Sequence, residues 1–426
     1  MSTLRGVIRP RLVSDVTCLR AVEVPPPDEC SERPTPASPP LSSWYLFVGY
    51  ASGVVAVYNC ATYRELWSAQ LHDAEASVIE LHVASHFCGT FVLFTQSRRG
   101  EVTRWEVDWA GRRFVHNARL DLPGRTDGEG AGAGAGAEVV YSFARMCFAP
   151  GAGIVAFPSG EKTVTVCVYG ERLEFRKFEL DFSQSEGGMV TSLSATHARV
   201  PLSFGPDPGP NCQERGGVAR TVALICVGFE SGLVKAIGLE PRDSSETTIT
   251  RDIPGIGTDP CVALGCMGRR SPSHNDVLVA RGFAGDGTGA AEAGEAEAGE
   301  AADTSSSGRN PPLVHLDTVS FGSLSLSARS VVGFTALDHE PGARVMDPPK
   351  GMTATLRGMD QIVYRDDGKY VAVACWDGKV RIYKVDTGKL VDVIAQHAQA
   401  VTCFAFVSCK LMALGSRDGT VSIHSI

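Results

Sequence analysis

Short apolar runs recur along this chain, and many are cut by a glycine-containing turn before the next begins. The pattern is sharpest near the C-terminus. Gln361–Tyr364 is followed by Tyr370–Cys375, the dipeptide Asp377-Gly378, and Val380–Tyr383. Val401–Phe406 is followed by Leu411–Ser416, Asp418-Gly419, and Val421–His424. Runs of this length, rich in β-branched residues and bounded by turn formers, predict strands. Asp-Gly between them predicts tight hairpins, because glycine tolerates positive φ and aspartate caps the turn. The two dipeptides stand about 40 residues apart, the length of one propeller repeat.

Weaker copies precede these two. Tyr45–Tyr58 reads strand, Ser52-Gly53 turn, strand, with Ser52 where aspartate would stand. Phe91–Trp105 repeats the plan with Arg99 in the turn and Trp105 at the tryptophan position of a WD repeat; Val222–Ile237 repeats it again. Met146–Val168 keeps the strands without the signature, and Val277–Ala280 with Val314–Leu316 reads as the middle of a further repeat split by an insertion. The expected fold is all-β: a seven-bladed WD40 propeller occupying 1–426 as one domain. The last blade lacks an outer strand, so Ser2–Ile8 is expected to pair beside Val421–Ser425 and close the ring, which would remove an exposed edge.

Four stretches break the pattern by composition. They are 25–41, rich in proline; 123–137, with an alternating Gly-Ala run; 201–217, rich in Pro and Gly; and 283–312, an Ala/Gly/Glu tract ending in serines. Such segments bury too little apolar surface to offset their ordering entropy, so surface insertions are expected. The Gly-Ala run lacks the Lys-Ser/Thr ending of a phosphate loop.

Bulk properties narrow the function. The 426 residues are 43% hydrophobic and 21% charged, with net charge −8, which gives no electrostatic footprint for nucleic acid. No apolar window reaches membrane-spanning length, and Met1–Arg11 has no signal-peptide core, so a cytoplasmic and nuclear protein is expected. Of 13 cysteines, Cys167, Cys226, Cys375 and Cys403 fall inside strand-like runs and read as small hydrophobes. Cys261 and Cys266 have no second pair at zinc spacing, so no metal or other cofactor is expected.

The candidate residues follow from turn geometry. The residue opening each turn lies at the rim of a propeller's top face: Ala51, Arg98, Glu230, Trp376 and Arg417. Tryptophan and arginine are common binding hot spots, so Trp376, Arg417 and Arg98, with Glu230, are the partner-binding candidates. His397, Ser416 and Asp418, with His424 in place of tryptophan, read as a structural hydrogen-bond network, as do Asp377 and Trp105 in their own repeats. A His–Asp–Ser set also suggests a hydrolase, but a serine inside a strand offers neither an exposed nucleophile nor an oxyanion hole. Ser97-Arg98-Arg99-Gly100 approaches the Phe-Arg-Arg-Gly motif of phosphoinositide-binding propellers, without the phenylalanine and on an acidic chain. The sequence shows no set of polar groups for a catalytic central channel.

Several segments carry a resemblance. They are Leu4-Arg5-Gly6; Thr95-Gln96-Ser97-Arg98 with Trp105; Gly228-Phe229-Glu230-Ser231-Gly232; Ala374-Cys375-Trp376-Asp377 with Val380–Tyr383; and Leu414–Asp418. On these the chain resembles the ASTRA-associated protein 1 family, also called guanine nucleotide-binding protein subunit beta-like protein 1. Tyr58, Tyr383 and His424 depart from it at tryptophan positions. The resemblance implies a seven-bladed propeller without catalysis. It implies an adaptor, a monomer within a complex, that helps stabilise and assemble phosphatidylinositol 3-kinase-related kinases with TTT-type co-chaperones and RuvB-like ATPases. The alternatives are a G-protein-β-like signalling subunit, which should carry a helical heptad segment ahead of the first blade, and a ribosome-associated scaffold, which should have crisper repeats and a more basic face.

Overall fold

The computed structural model describes residues 2–10, 14–24, 44–85, 91–120, 144–149, 152–169, 175–200, 220–239, 249–253, 260–268, 276–283, 313–321, 326–335 and 359–426. The insertions expected at 25–41, 123–137 and 201–217 lie outside these residues. So does 283–312, except for Phe283 at the end of a strand.

The described chain is built of antiparallel strands. It opens with β1 (Thr3–Ile8), then a first sheet of β2 (Val16–Glu23), β3 (Trp44–Tyr50), β4 (Val54–Asn59) and β5 (Arg64–Gln70). The second sheet is β6 (Val78–Ser85), β7 (Phe91–Ser97), β8 (Val102–Asp108) and β9 (Arg113–Arg119). The third is β10 (Cys147–Ala149), β11 (Ile154–Pro158), β12 (Thr163–Tyr169) and β13 (Phe175–Asp181). The fourth is β14 (Val190–Val200), β15 (Arg220–Phe229), β16 (Val234–Leu239) and β17 (Ile249–Ile253). The fifth is β18 (Cys261–Gly268), β19 (Asp276–Phe283), β20 (Leu313–Phe321) and β21 (Leu326–Thr335). The sixth is β22 (Met359–Tyr364), β23 (Tyr370–Cys375), β24 (Val380–Lys384) and β25 (Leu390–Ile394). The seventh joins β26 (Val401–Ser408), β27 (Leu411–Ser416) and β28 (Val421–Ser425) to β1, with Leu4 opposite His424 and Ile8 opposite Val421.

Glycine sets the hairpins between middle strands. In Tyr50–Gly53, Ser97–Gly100, Phe229–Gly232, Cys375–Gly378 and Ser416–Gly419 the glycine N–H donates to the carbonyl three residues back at 2.9–3.2 Å. Each glycine has φ between +78° and +81°, which an L side chain tolerates poorly. The turn is thus a three-residue loop ending in a glycine bulge, not a two-residue Asp-Gly hairpin, and Asp377 and Asp418 keep negative φ.

Successive sheets pack face to face. Seven clusters of buried apolar side chains lie between neighbours among the described residues, and the cluster between seventh and first joins Cys403, Ala405 and Val421 to Val16, Leu19 and Val48. Close approach is built in at Gly49, Gly228, Gly282 and Gly415, which hold the same place in their sheets. A Cβ there would stand 3.0 Å from Val78 Cγ1, 3.0 Å from Cys261 Sγ, 2.8 Å from Ile362 Cδ1 and 3.1 Å from Leu19 Cδ2 of the neighbouring sheet, respectively. Beside three of them an inner-strand threonine ties sheet to sheet. Thr191 Oγ1 donates between the carbonyls of Gly228 and Cys261, Thr402 between Gly415 and Val16, and Thr17 between Gly49 and Val78. The arrangement is that of an all-β WD40 propeller.

Candidate functional site

The inner end of each sheet fixes the rim residues. The backbone N–H groups of Ala51, Arg98, Glu230 and Arg417 donate to the carbonyls of Asp15, Ser77, Met189 and Ala400 at 2.8–3.1 Å. Each acceptor lies just before or at the start of its sheet's inner strand, so the same bond places these residues at equivalent points. Arg98, Glu230 and Arg417 are exposed, Ala51 is half-buried, and Trp376 in the sixth sheet is half-buried. Arg99, next to Arg98, is engaged by Asp73 at 3.1 Å and Glu75 at 3.3 Å, so Arg98-Arg99 does not present two unpaired cations to a phosphate.

The turn carrying Trp376 is clamped from below. Asp377 accepts from Arg381 Nη1 at 3.1 Å and Nη2 at 2.7 Å, and from the Lys379 N–H at 3.2 Å. The Arg381 side chain is 8% exposed. Burial alone would favour the neutral guanidine, but the Asp377 hydrogen bonds outweigh it and hold the proton firmly.

The expected network of the seventh sheet has a different serine. His397 Nδ1 faces Asp418 Oδ2 at 3.0 Å, and His397 Nε2 faces Ser422 Oγ at 2.7 Å. His424 Nε2 lies 2.9 Å from the same Ser422 hydroxyl. Ser416 instead donates to the Gln399 carbonyl at 3.4 Å and does not reach His397. Burial would raise the Asp418 carboxyl, but the Thr420 and His397 hydrogen bonds hold it below its usual value. Burial pushes His424 down to about 4, helped by His397. In the second sheet Trp105 Nε1 donates to Thr95 Oγ1 at 2.9 Å, and His72 Nε2 lies 2.8 Å from that oxygen. In the first sheet Tyr58, at the tryptophan position, meets Tyr50 hydroxyl to hydroxyl at 3.0 Å.

Cys167, Cys226, Cys375 and Cys403 are buried thiols. Desolvation raises Cys167 to about 11 and Cys375 and Cys403 to about 12, so none is a ready thiolate nucleophile.

One cavity has a lining that no motif in the chain announces. A cavity of about 610 Å³ is walled by inner strands of the first six sheets and carries Arg20, Glu80, His82, Arg145, Asp360 and Trp376. No catalytic channel of polar groups was legible in the sequence, and this cluster becomes visible only in the fold. Glu80, 4% exposed, pairs with Arg20 at 3.0 Å and lies 3.9 Å from Arg145 Nη1. Arg145 Nη2 crosses to the Thr402 carbonyl of the seventh sheet at 3.2 Å. Burial favours the neutral form of Arg145, but Glu80 and Asp360 keep it charged. Burial drives His82 well below its usual value, aided by Arg20, so its imidazole is neutral. Asp360 occupies the bulge of β22 where Thr17, Thr191 and Thr402 occupy the bulges of β2, β14 and β26. Burial raises its carboxyl, against the influence of Arg145, Trp376 and Arg417.

Comparison with known proteins agrees with this geometry. Residues 351–409 match the anaphase-promoting complex subunit 4 WD40 domain. The crystal structure of Chaetomium thermophilum Raptor overlays 99% of this chain on 28% of its own, with TM-score 0.57 at 12% identity, a likeness of fold alone. Mouse guanine nucleotide-binding protein subunit beta-like protein 1 is 34% identical over 103 residues, 24% of this chain and 31% of that one. ASTRA-associated protein 1 of Verticillium alfalfae is 34% identical over 119 residues, 26% of this chain and 29% of that one. The chain thus aligns with less than a third of these curated relatives' length. The resemblance drawn from its motifs is met by these matches: the chain is a WD40 propeller similar in sequence to ASTRA-associated protein 1 and to guanine nucleotide-binding protein subunit beta-like protein 1.

Proposed function

We propose that this chain is a non-catalytic adaptor of the cytoplasm and nucleus, a single seven-bladed ring whose rim binds protein partners. Its seven sheets, the apolar cluster between seventh and first, and the β1–β28 pairing support a ring zipped by the N-terminal strand. The observation that carries the binding reading is the half-buried indole of Trp376, in the sixth-sheet turn held by the Asp377–Arg381 clamp, with the exposed Arg417 in the corresponding turn of the seventh sheet. An aromatic anchor beside an exposed arginine is the composition of an interface hot spot. Arg98 and Glu230, at equivalent points, extend the same face.

The partners in this reading are those the family resemblance implies: TTT-type co-chaperones, RuvB-like ATPases and the phosphatidylinositol 3-kinase-related kinases they help assemble; the partial similarity to ASTRA-associated protein 1 supports it. Affinity purification of the tagged protein at near-physiological salt, read by mass spectrometry, tests this role. The expected result is recovery of TTT-type subunits or RuvB-like ATPases. Recovery of ribosomal proteins or G-protein γ subunits in their place overturns it.

A further inference from the structure

Three buried polar atoms on the wall of the central cavity complete no hydrogen bond: Arg145 Nη1, Asp360 Oδ2 and Trp376 Nε1. Their convergence is not a loose surface feature. Asp360 sits in the bulge of β22, at the level where threonine hydroxyls bridge sheets elsewhere, and Trp376 belongs to the turn at the same end of the sixth sheet. The indole N–H is directed to the Asp360 carboxylate without reaching hydrogen-bond geometry.

The charge balance selects a ligand. The charged residues of the wall are Arg20 and Arg145 against Glu80, Asp360 and Asp366, two positive and three negative. Glu80 is occupied by Arg20 at 3.0 Å and lies within 3.9 Å of Arg145, whose other amino group is spent on the Thr402 carbonyl. The Asp360 carboxylate, its Oδ2 buried, makes no ion pair within 4 Å among the described residues, and Arg145 and Arg417 act on it only at longer range. An anion entering here meets that carboxylate and lowers nothing. A cation neutralises the wall, completes the open lone pair of Asp360, and lies against an indole face suited to cation–π contact. The chain as a whole carries net charge −8, which also draws a basic partner.

We propose that the cavity receives one basic side chain, arginine or lysine, inserted from a partner protein, with the Asp360 carboxylate as its acceptor and the Trp376 indole along its flank. This deepens the adaptor reading and rests on it, since the inserted residue belongs to the partner that docks on the Trp376 and Arg417 rim.

The test follows the indole N–H signal of Trp376 by heteronuclear NMR, assigned by its loss in Trp376→Phe. The probes are N-acetyl-arginine methylamide, its neutral isostere N-acetyl-citrulline methylamide, and N-acetyl-glutamate methylamide. The expected result is a saturable shift with the arginine probe. The citrulline probe should bind at least tenfold more weakly, and Asp360→Asn should lose at least tenfold affinity for arginine while keeping the thermal midpoint of the parent. Equal shifts from citrulline, a stronger response to glutamate, or no response to any probe overturns the proposal without recourse to a variant. A lowered thermal midpoint in Asp360→Asn would make the carboxylate a structural counter-ion of Arg145 and also overturns it. Partner capture separates the two levels. If Asp360→Asn keeps every captured protein while Trp376→Ala/Arg417→Glu loses them, the inserted base is wrong and the docking face stands. If the double variant keeps them too, the face itself fails.

Discussion

Asp377→Ala is expected to cost about 3 kcal/mol of folding stability, because it strands a buried guanidinium. Arg381 is 8% exposed and spends two amino groups on Asp377, at 3.1 and 2.7 Å. Removing the carboxylate leaves that charge away from water with no counter-ion, the situation in which breaking a buried pair is most damaging. The same change deletes the acceptor for the Lys379 N–H and loosens the turn that sets Trp376. Chemical denaturation measures the loss. The second variant, Asp377→Ala with Arg381→Met, removes the stranded charge and should recover most of the stability, since an apolar side chain of similar length suits the site. Equal losses in the single and the double variant would show that the turn, and not the ion pair, holds this hairpin.

Acid is expected to weaken the fold well above the range where carboxylates titrate. His72, His82 and His424 are buried, and each is held below the ordinary histidine value, chiefly by desolvation. In the unfolded chain they take up protons near pH 6.5. In the folded protein they resist, His424 down to about 4. Stability is therefore full above pH 6.5 and is withdrawn as pH falls from there toward 4. With each tenfold change in proton affinity worth about 1.4 kcal/mol, His424 alone withdraws about 3 kcal/mol across that window. Asp360 works in the opposite sense. Its carboxyl is raised, so protonation as pH falls relieves a burial cost and offsets part of the loss. Asp418 is lowered, and its contribution disappears only below the ordinary carboxylate range. Urea midpoints at pH 7.5 and 5.0 should differ in this direction, and His424→Gln should flatten the dependence while keeping a partner for Ser422. An unchanged slope in His424→Gln would remove that histidine from the account.

The strands were legible because many apolar runs are short and end at a glycine that the turn requires. Counting from that glycine also picks out equivalent turn positions, since the same turn recurs with φ near +80° at Gly53, Gly100, Gly232, Gly378 and Gly419. The same counting shows why Ser416 misled. In the second sheet the network hydroxyl is Thr95, five residues before Gly100; five before Gly419 is the apolar Leu414, and the role passes to Ser422 directly across the strand pair. Ser416 lies two residues away along the strand, at the turn, and bonds locally. The central cluster left no such signal. Arg20, Glu80 and Asp360 come from three inner strands and Arg145 from the segment just before a fourth, with no local spacing to connect them, and Arg145 meets Thr402 across 257 residues. The third sheet hides its part most completely, since β10 is three residues long and Arg145 precedes it. Convergence of that kind is a product of packing several sheets together and cannot be read from any one repeat.

The most direct test of the adaptor face is capture of partners by Trp376→Ala/Arg417→Glu beside the parent, at equal expression and with equal thermal midpoints. Trp376 is half-buried and Arg417 exposed in corresponding turns, and neither belongs to an apolar cluster between sheets, so the variant should fold. The account predicts that it loses the proteins the parent retains by at least tenfold. Full retention of every partner by a folded double variant would contradict it and move the binding surface away from this face.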